Sequence, residues 1–196
     1  MRSLFVSLIV LGVSVCALAG YDYTISSGYV GTLVLDNSRT LLMTGGGINS
    51  LTSGDYCVLE IKSTTPYIPL SGGVGKVVLG GYSQLLMSGG EINWLDINGY
   101  GTAILSGGQI NTLRNYNLQP IHDKLVEIIC KEYSYNAQTK ILTGLWGDGS
   151  AFSIKLSDSA QYTFTPTYDI IKFTIIPEPA TLLLLGLGGV LLRRRQ

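Results

Sequence analysis

One eight-residue phrase recurs in this chain at a fixed spacing and limits what it can fold into. Ser88-Gly89-Gly90-Glu91-Ile92-Asn93-Trp94-Leu95 returns eighteen residues later as Ser106-Gly107-Gly108-Gln109-Ile110-Asn111-Thr112-Leu113, and the same frame stands at Thr44-Gly45-Gly46-Gly47-Ile48-Asn49-Ser50-Leu51. Looser copies start at Ser26 and at Ser71, the latter one residue short near Val74, giving five candidate units with an insertion over residues 62–70. A unit this short cannot bury its own apolar side chains, so each must stack on its neighbours.

Alignment of the units yields columns. Val30, Ile48, Val74, Ile92 and Ile110 form one, Leu33, Leu51, Val77, Leu95 and Leu113 a second, and Leu41, Leu59, Leu85, Ala103 and Ile121 a third. Gly28, Gly46, Gly73, Gly90 and Gly108 recur ahead of them, as a corner with left-handed backbone or close approach between neighbours would require. This predicts an all-β body over residues 20–123: a short parallel β-helix or β-solenoid of about five rungs, each of ~18 residues, rising ~4.8 Å per rung. Its handedness stays open, because the apolar positions do not fall every six residues. The competing reading is an antiparallel sandwich in which the Gly-Gly pairs mark hairpins.

The repeat is not visible beyond residue 123. Strand patterns cover residues 125–130, 141–146, 152–156, 162–165 and 170–176, with Gly147-Asp148-Gly149-Ser150 as a turn between two of them. Residues 124–176 are therefore expected to form an antiparallel β cap that shields the last rung's edge.

Charge and cysteine usage narrow the function classes. Four of the thirteen Lys and Arg, Arg2 and Arg193 to Arg195, lie near the ends, which leaves nine against thirteen Asp and Glu and a net charge of −4 over residues 20–179. A nucleic-acid partner is not expected. Cys57 and Cys130 could close one disulfide in an oxidising compartment. Together with the single His122 they fall short of a usual zinc site, and no cofactor is expected.

Candidate chemistry is sparse. Asp36, Asp55, Glu91 and Asp96 occupy four different positions of the repeat, so no carboxylate pair stacks on adjacent rungs as a glycosidase or lyase would arrange it. The phrase after Gly89-Gly90 carries Ile92 and Trp94 where calcium-binding nonapeptides place ligands. Asp148 between glycines reads as a turn. His122 beside Asp123 lacks a nucleophile elbow, so no catalytic residue is assigned. Trp94, Trp146 and the tyrosines could stack on sugar rings, with core packing as the alternative role.

Both termini look like addresses. Arg2, the apolar residues 4–15 and Ala17-Leu18-Ala19 have the form of a signal peptide over residues 1–19, cleaved by signal peptidase before Gly20. At the other end Pro177-Glu178-Pro179 precedes an apolar run over residues 180–192 and Arg193-Arg194-Arg195. As a helix that run would measure ~20 Å against a hydrocarbon core of ~30 Å, and the arginines would hold it from the cytoplasmic side. Residues 177–196 resemble the PEP-CTERM sorting signal, with its tripeptide, short hydrophobic helix and arginine cluster in order. The resemblance implies an exosortase-type membrane protease as partner, transient anchoring in the inner membrane by the C-terminal helix, and a destination in the cell envelope or extracellular matrix near extracellular polysaccharide.

The combined expectation is an exported, non-enzymatic structural or adhesive matrix protein. The alternatives are a carbohydrate-binding module, which requires exposed Tyr or Trp aligned on one face, and a polysaccharide lyase or hydrolase, which requires convergent carboxylates with Arg or Lys.

Overall fold

The computed structural model describes residues 10–11, 20–69, 72–117, 120–158 and 165–177. The described residues are mostly β-strand, with one 3₁₀ turn among them at Thr167–Ile170. Two sets of parallel pairings organise them. One joins β2 (Tyr23–Ile25), β4 (Thr40–Thr44), β6 (Val58–Ser63), the first half of β8 (Gln84–Ile97), the first half of β9 (Thr102–Asn115) and β10 (Val126–Asn136). The other joins β3 (Tyr29–Leu35), β5 (Gly47–Ser53), β7 (Gly73–Leu79), the second halves of β8 and β9, and β12 (Ala151–Asp158).

The registers explain the columns. Val30, Ile48, Val74, Ile92 and Ile110 pair in succession, as do Leu33, Leu51, Val77, Leu95 and Leu113, and the second row continues to Leu156. Leu41, Leu59, Leu85 and Ala103 also align, but their next member is Val126 rather than the expected Ile121. The link into β10 is longer than one repeat, so an eighteen-residue frame lands too early. A further row, Met43, Ile61, Met87, Leu105 and Ile128, is absent from the sequence alignment. The side chains of these four rows are buried in one hydrophobic cluster, which fixes the register because a one-residue slip would turn each row outward.

All five column glycines have positive φ, from 64° at Gly73 to 88° at Gly108. A Cβ on Gly46 would lie 2.8 Å from the Gly28 carbonyl oxygen, so the corners need glycine both for conformation and for space.

The C-terminal segment departs from the expected cap. β11 (Ile141–Trp146) is antiparallel to both β10 and β12, but β10 and β12 themselves extend the parallel pairings of β9, and β13 (Ile171–Ile175) adds in parallel to β10. The pairings β9–β12, β12–β11, β11–β10 and β10–β9 thus close a small ring on an otherwise open sheet. Trp146 fills it, 1% exposed, with its indole Nε1 donating to the Gly108 carbonyl at 2.9 Å and its ring against Phe152. Thr165 is a bend, and the remainder of the strand expected over residues 162–165 lies outside the described residues.

Within the expected signal peptide, Val10–Leu11 forms a short strand, β1, antiparallel to β3; the rest of that segment lies outside the described residues. So does the expected hydrophobic helix over residues 180–192. Among the described residues no helix is long and apolar enough to cross a membrane.

Carboxylates staple neighbouring strands. Glu60 accepts a hydrogen bond from the Tyr21 hydroxyl and pairs with Lys62, and Glu127 accepts from Thr174 and Lys172 across β10 and β13; these bonds hold both carboxyls below the ordinary range. Burial raises the Asp158 pKa, but hydrogen bonds from Lys140 and the Thr167 amide outweigh it and leave the net shift downward. Each group binds its proton less readily folded than unfolded, so its contribution is present above about pH 4 and is lost as pH falls through the folded values. Thermal melts followed by circular dichroism should be level between about pH 8 and 5 and decline below about 4. A melting temperature constant down to about pH 2 would show that these staples do not stabilise the fold.

Candidate functional site

The turns that lead into β6, β8 and β9 bring three tyrosines into line. Tyr82 donates its amide to the Asp55 carbonyl and Tyr100 to that of Gly81, both close backbone bonds between successive turns. The side chains of Tyr56, Tyr82 and Tyr100 therefore stack, with centroids 5.2 and 5.3 Å apart and planes within 8° and 7° of parallel. All three are exposed, at 64%, 55% and 51%, which is unusual for a stack of rings that could have been buried. Ring faces within the ladder cover one another, so it offers solvent the ring edges and the row of hydroxyls.

A second cluster lies on the outward face of β7, β8 and β9. Lys76, Trp94 and Thr112 are directly opposite one another, and two residues along Asp96 is opposite Arg114. Asp96 is 2% exposed and accepts two hydrogen bonds from Arg114, at 2.9 and 2.6 Å, while the Lys76 ammonium lies 3.1 Å away. The bond to Asp96 holds the Arg114 guanidinium above its already high pKa. Its Cζ sits 5.5 Å from the Trp94 ring centroid and 4.8 Å from that of Tyr116. Trp94 remains 39% exposed. A buried carboxylate here serves to orient two cations beside an aromatic surface.

The other residues singled out in the sequence have structural partners or lie apart. Glu91 accepts the Tyr67 amide at 2.8 Å and donates its own amide to the Thr64 hydroxyl, tying down the loop after β6. Asp55 accepts the Asn37 amide, and Asp148 accepts the amide and hydroxyl of Ser150 in a turn. His122 and Asp123 are exposed. Among the described residues no group of three or more His, Cys, Asp or Glu could hold a metal ion. Trp146 belongs to the core, whereas Trp94 does not.

Cys57 and Cys130 are both buried and both free, so the bridge that the sequence allows is not made in this structure. Cys57 precedes β6, and Cys130 lies in β10, three neighbours away through β8 and β9. Three strand spacings are ~14 Å, twice the ~7 Å beyond which Cα atoms cannot be bridged. Burial also pushes the Cys130 thiol up, which keeps it protonated.

The sequence singles out Trp94 and the tyrosines as candidates for sugar stacking but does not show which of them line up. Tyr56 and Tyr82 are separated by a repeat plus the insertion, which hides their alignment until the loop is discounted. Asp96 and Arg114 are one repeat apart, and that spacing is the available signal.

Of the expected sorting residues, Pro177 ends the described chain, and Glu178, Pro179 and Arg193 to Arg195 lie outside it. No curated protein and no solved structure matches the chain. Residues 176–196 match the model of the PEP-CTERM protein-sorting motif, which implies export and transient handling at the membrane by exosortase. The chain is thus a carrier of the PEP-CTERM sorting signal.

Proposed function

We propose that the chain is an exported structural or adhesive protein of the cell envelope or extracellular matrix, its body wound as a short β-solenoid and its tail held in the inner membrane until exosortase processes it. The observation that carries the adhesive role is the ladder of Tyr56, Tyr82 and Tyr100, three exposed rings in line on successive turns. A row of phenol edges repeating every ~5 Å suits a repetitive polymer better than a small solute. Parallel registers through five successive strands in each ladder support the solenoid reading. A non-catalytic role is supported by the engagement of Glu91 and Asp96 in structural hydrogen bonds. Exposed Trp94 beside Lys76 and Arg114 favours a second reading, a carbohydrate-binding module.

The test uses the full chain expressed in a host with an exosortase system, with the protein divided between soluble medium and sedimented extracellular polymer. A variant lacking residues 177–196 should lose membrane processing. Tyr56→Ser/Tyr82→Ser/Tyr100→Ser should be exported and processed like the parent but shift into the soluble fraction, with a stability loss of no more than ~2–3 kcal/mol from two lost ring stacks. Retention equal to the parent would remove the ladder as the adhesive contact. Release of reducing or unsaturated sugar ends by the parent would make the chain an enzyme instead.

A further inference from the structure

We infer that the outward strip centred on Trp94 is a binding subsite for a carboxylate-bearing saccharide chain, held by Lys76, Arg114 and Lys155. This rests on the exported, polymer-facing reading above but concerns a face other than the tyrosine ladder.

The argument begins with register. Thr112 is opposite Trp94 on one side and Lys155 of β12 on the other, so Lys76, Trp94, Thr112 and Lys155 form one row across four adjacent strands. Strands lie ~4.8 Å apart, which sets the two lysines at the ends of a strip ~14 Å long. The parallel row two residues along holds Val78, Asp96, Arg114 and Ser157. Three of the nine basic residues between the terminal segments thus fall in these two rows, against one carboxylate, although the segment as a whole is acidic.

That carboxylate does not cancel the cations. Asp96 is buried beneath them and spends its oxygens on Arg114 and Lys76, which leaves the strip with a net charge of +2. Arg114 binds Asp96 through Nε and Nη2, and its Nη1 has no hydrogen-bond partner among the described residues. Lys76 keeps 44% of its side-chain surface, and Lys155 is exposed with no ion-pair partner among the described residues. Arg114 and Lys76 are therefore held in direction by Asp96 before any ligand arrives, which lowers their ordering cost on binding, while Lys155 is free to follow the ligand. Trp94 lies between the two lysines, and the 39% of it that Arg114 and its other neighbours leave exposed is an apolar surface for the C–H face of a sugar ring.

Each component selects against a different ligand. A neutral sugar would use the tryptophan and leave two or three ammonium and guanidinium groups idle. A free small anion would use the cations and leave the ring uncovered. Nucleic acid could use both, but three cations within a segment of net charge −4 provide little of the phosphate neutralisation on which its affinity depends. A uronate chain uses the ring and the charges together.

Affinity electrophoresis of the full chain through gels containing polygalacturonate, its fully methyl-esterified form or oligo(dT) separates these cases. Polygalacturonate should retard the parent, and the methyl ester, which keeps the backbone and removes the charge, should bind about tenfold more weakly. Lys76→Gln/Lys155→Gln should weaken polygalacturonate binding by about tenfold, and so should Trp94→Ala; the lysine pair should lower the melting temperature by no more than ~4 °C, the loss of the Lys76 contact to Asp96. Binding by the parent should also weaken between about 50 and 200 mM salt. Equal affinity for the methyl ester, an unaffected lysine variant, preference for oligo(dT), or no retardation by any polymer would each overturn the inference. The tyrosine triple variant should bind polygalacturonate like the parent, so failure of this subsite is distinguishable from failure of the adhesive ladder.

Discussion

Replacing Gly108 by alanine should destabilise the protein by about 3 kcal/mol or more, whereas the same change at Gly31 should be neutral or mildly stabilising. Gly108 has φ of +88°, and a Cβ there would lie 2.7 Å from the Gly90 carbonyl oxygen and 2.8 Å from the Gly89 carbonyl carbon. Left-handed backbone alone costs an alanine ~1–2 kcal/mol. The contact adds to that because its partners are backbone atoms of the preceding corner, which itself packs on the Thr64 segment. Gly108 also supplies the carbonyl that accepts the Trp146 indole, so a shift of the corner would loosen the plug of the closing ring. At Gly31 no atom comes within 4 Å of a built Cβ and φ is not left-handed, leaving only the entropy that alanine removes from the unfolded chain. In a chain of this size ~3 kcal/mol corresponds to a melting temperature lower by ~6–12 °C. Equal shifts for the two variants would mean that the corner glycines do not set the stacking of the turns.

The repeat is legible because burial and backbone strain act at fixed positions. The inward rows through Ile92 and Leu95 and the glycine corners align from the residues alone, since each position has the same strand neighbours in every repeat. Legibility ends where the spacing changes. The link between Ala103 and Val126 is longer than a repeat, and Leu113 pairs with Leu156 across the whole of β10 and β11, so a fixed period does not find the continuation. Alternating apolar residues mark β10 and β12 as strands, but alternation carries no information on whether a neighbour is parallel or antiparallel. That is why the C-terminal segment looks like a separate cap in sequence and is a continuation of the parallel ladders in space.

The exposed clusters are hidden for a different reason. No burial pattern distinguishes Tyr56, Tyr82 and Tyr100 from tyrosines scattered over a surface; Tyr82 and Tyr100 are one repeat apart, but Tyr56 joins them only when the insertion is discounted. Asp96 looks like one of several dispersed acids, and by repeat position it is dispersed. Its meaning comes from Arg114 on the next strand and Lys76 on the previous one, a cross-strand relation between unlike residues for which the eighteen-residue spacing to Arg114 is the signal in the sequence.

That cross-strand relation should also rank the stability of three variants. Arg114→Ala leaves the carboxylate of Asp96, 2% exposed, with Lys76 as its remaining ionic partner, and removes a guanidinium seated against two rings. A buried charge stripped of all partners costs ~3–5 kcal/mol. Because Lys76 still neutralises part of it, the expected loss is ~2–3 kcal/mol, including ~0.5–1 for each ring contact. Lys76→Ala should cost less than ~1 kcal/mol, since its side chain is 44% exposed and the bidentate bond to Arg114 survives. Asp96→Ala should fall between them, because the two cations it frees are near enough to the surface to recover water, Arg114 retaining 23% exposure. Urea unfolding of the three variants under one set of conditions would give the order. A larger loss for Lys76→Ala than for Arg114→Ala would show that the ammonium, and not the stacked guanidinium, is the main partner of the buried Asp96 side chain.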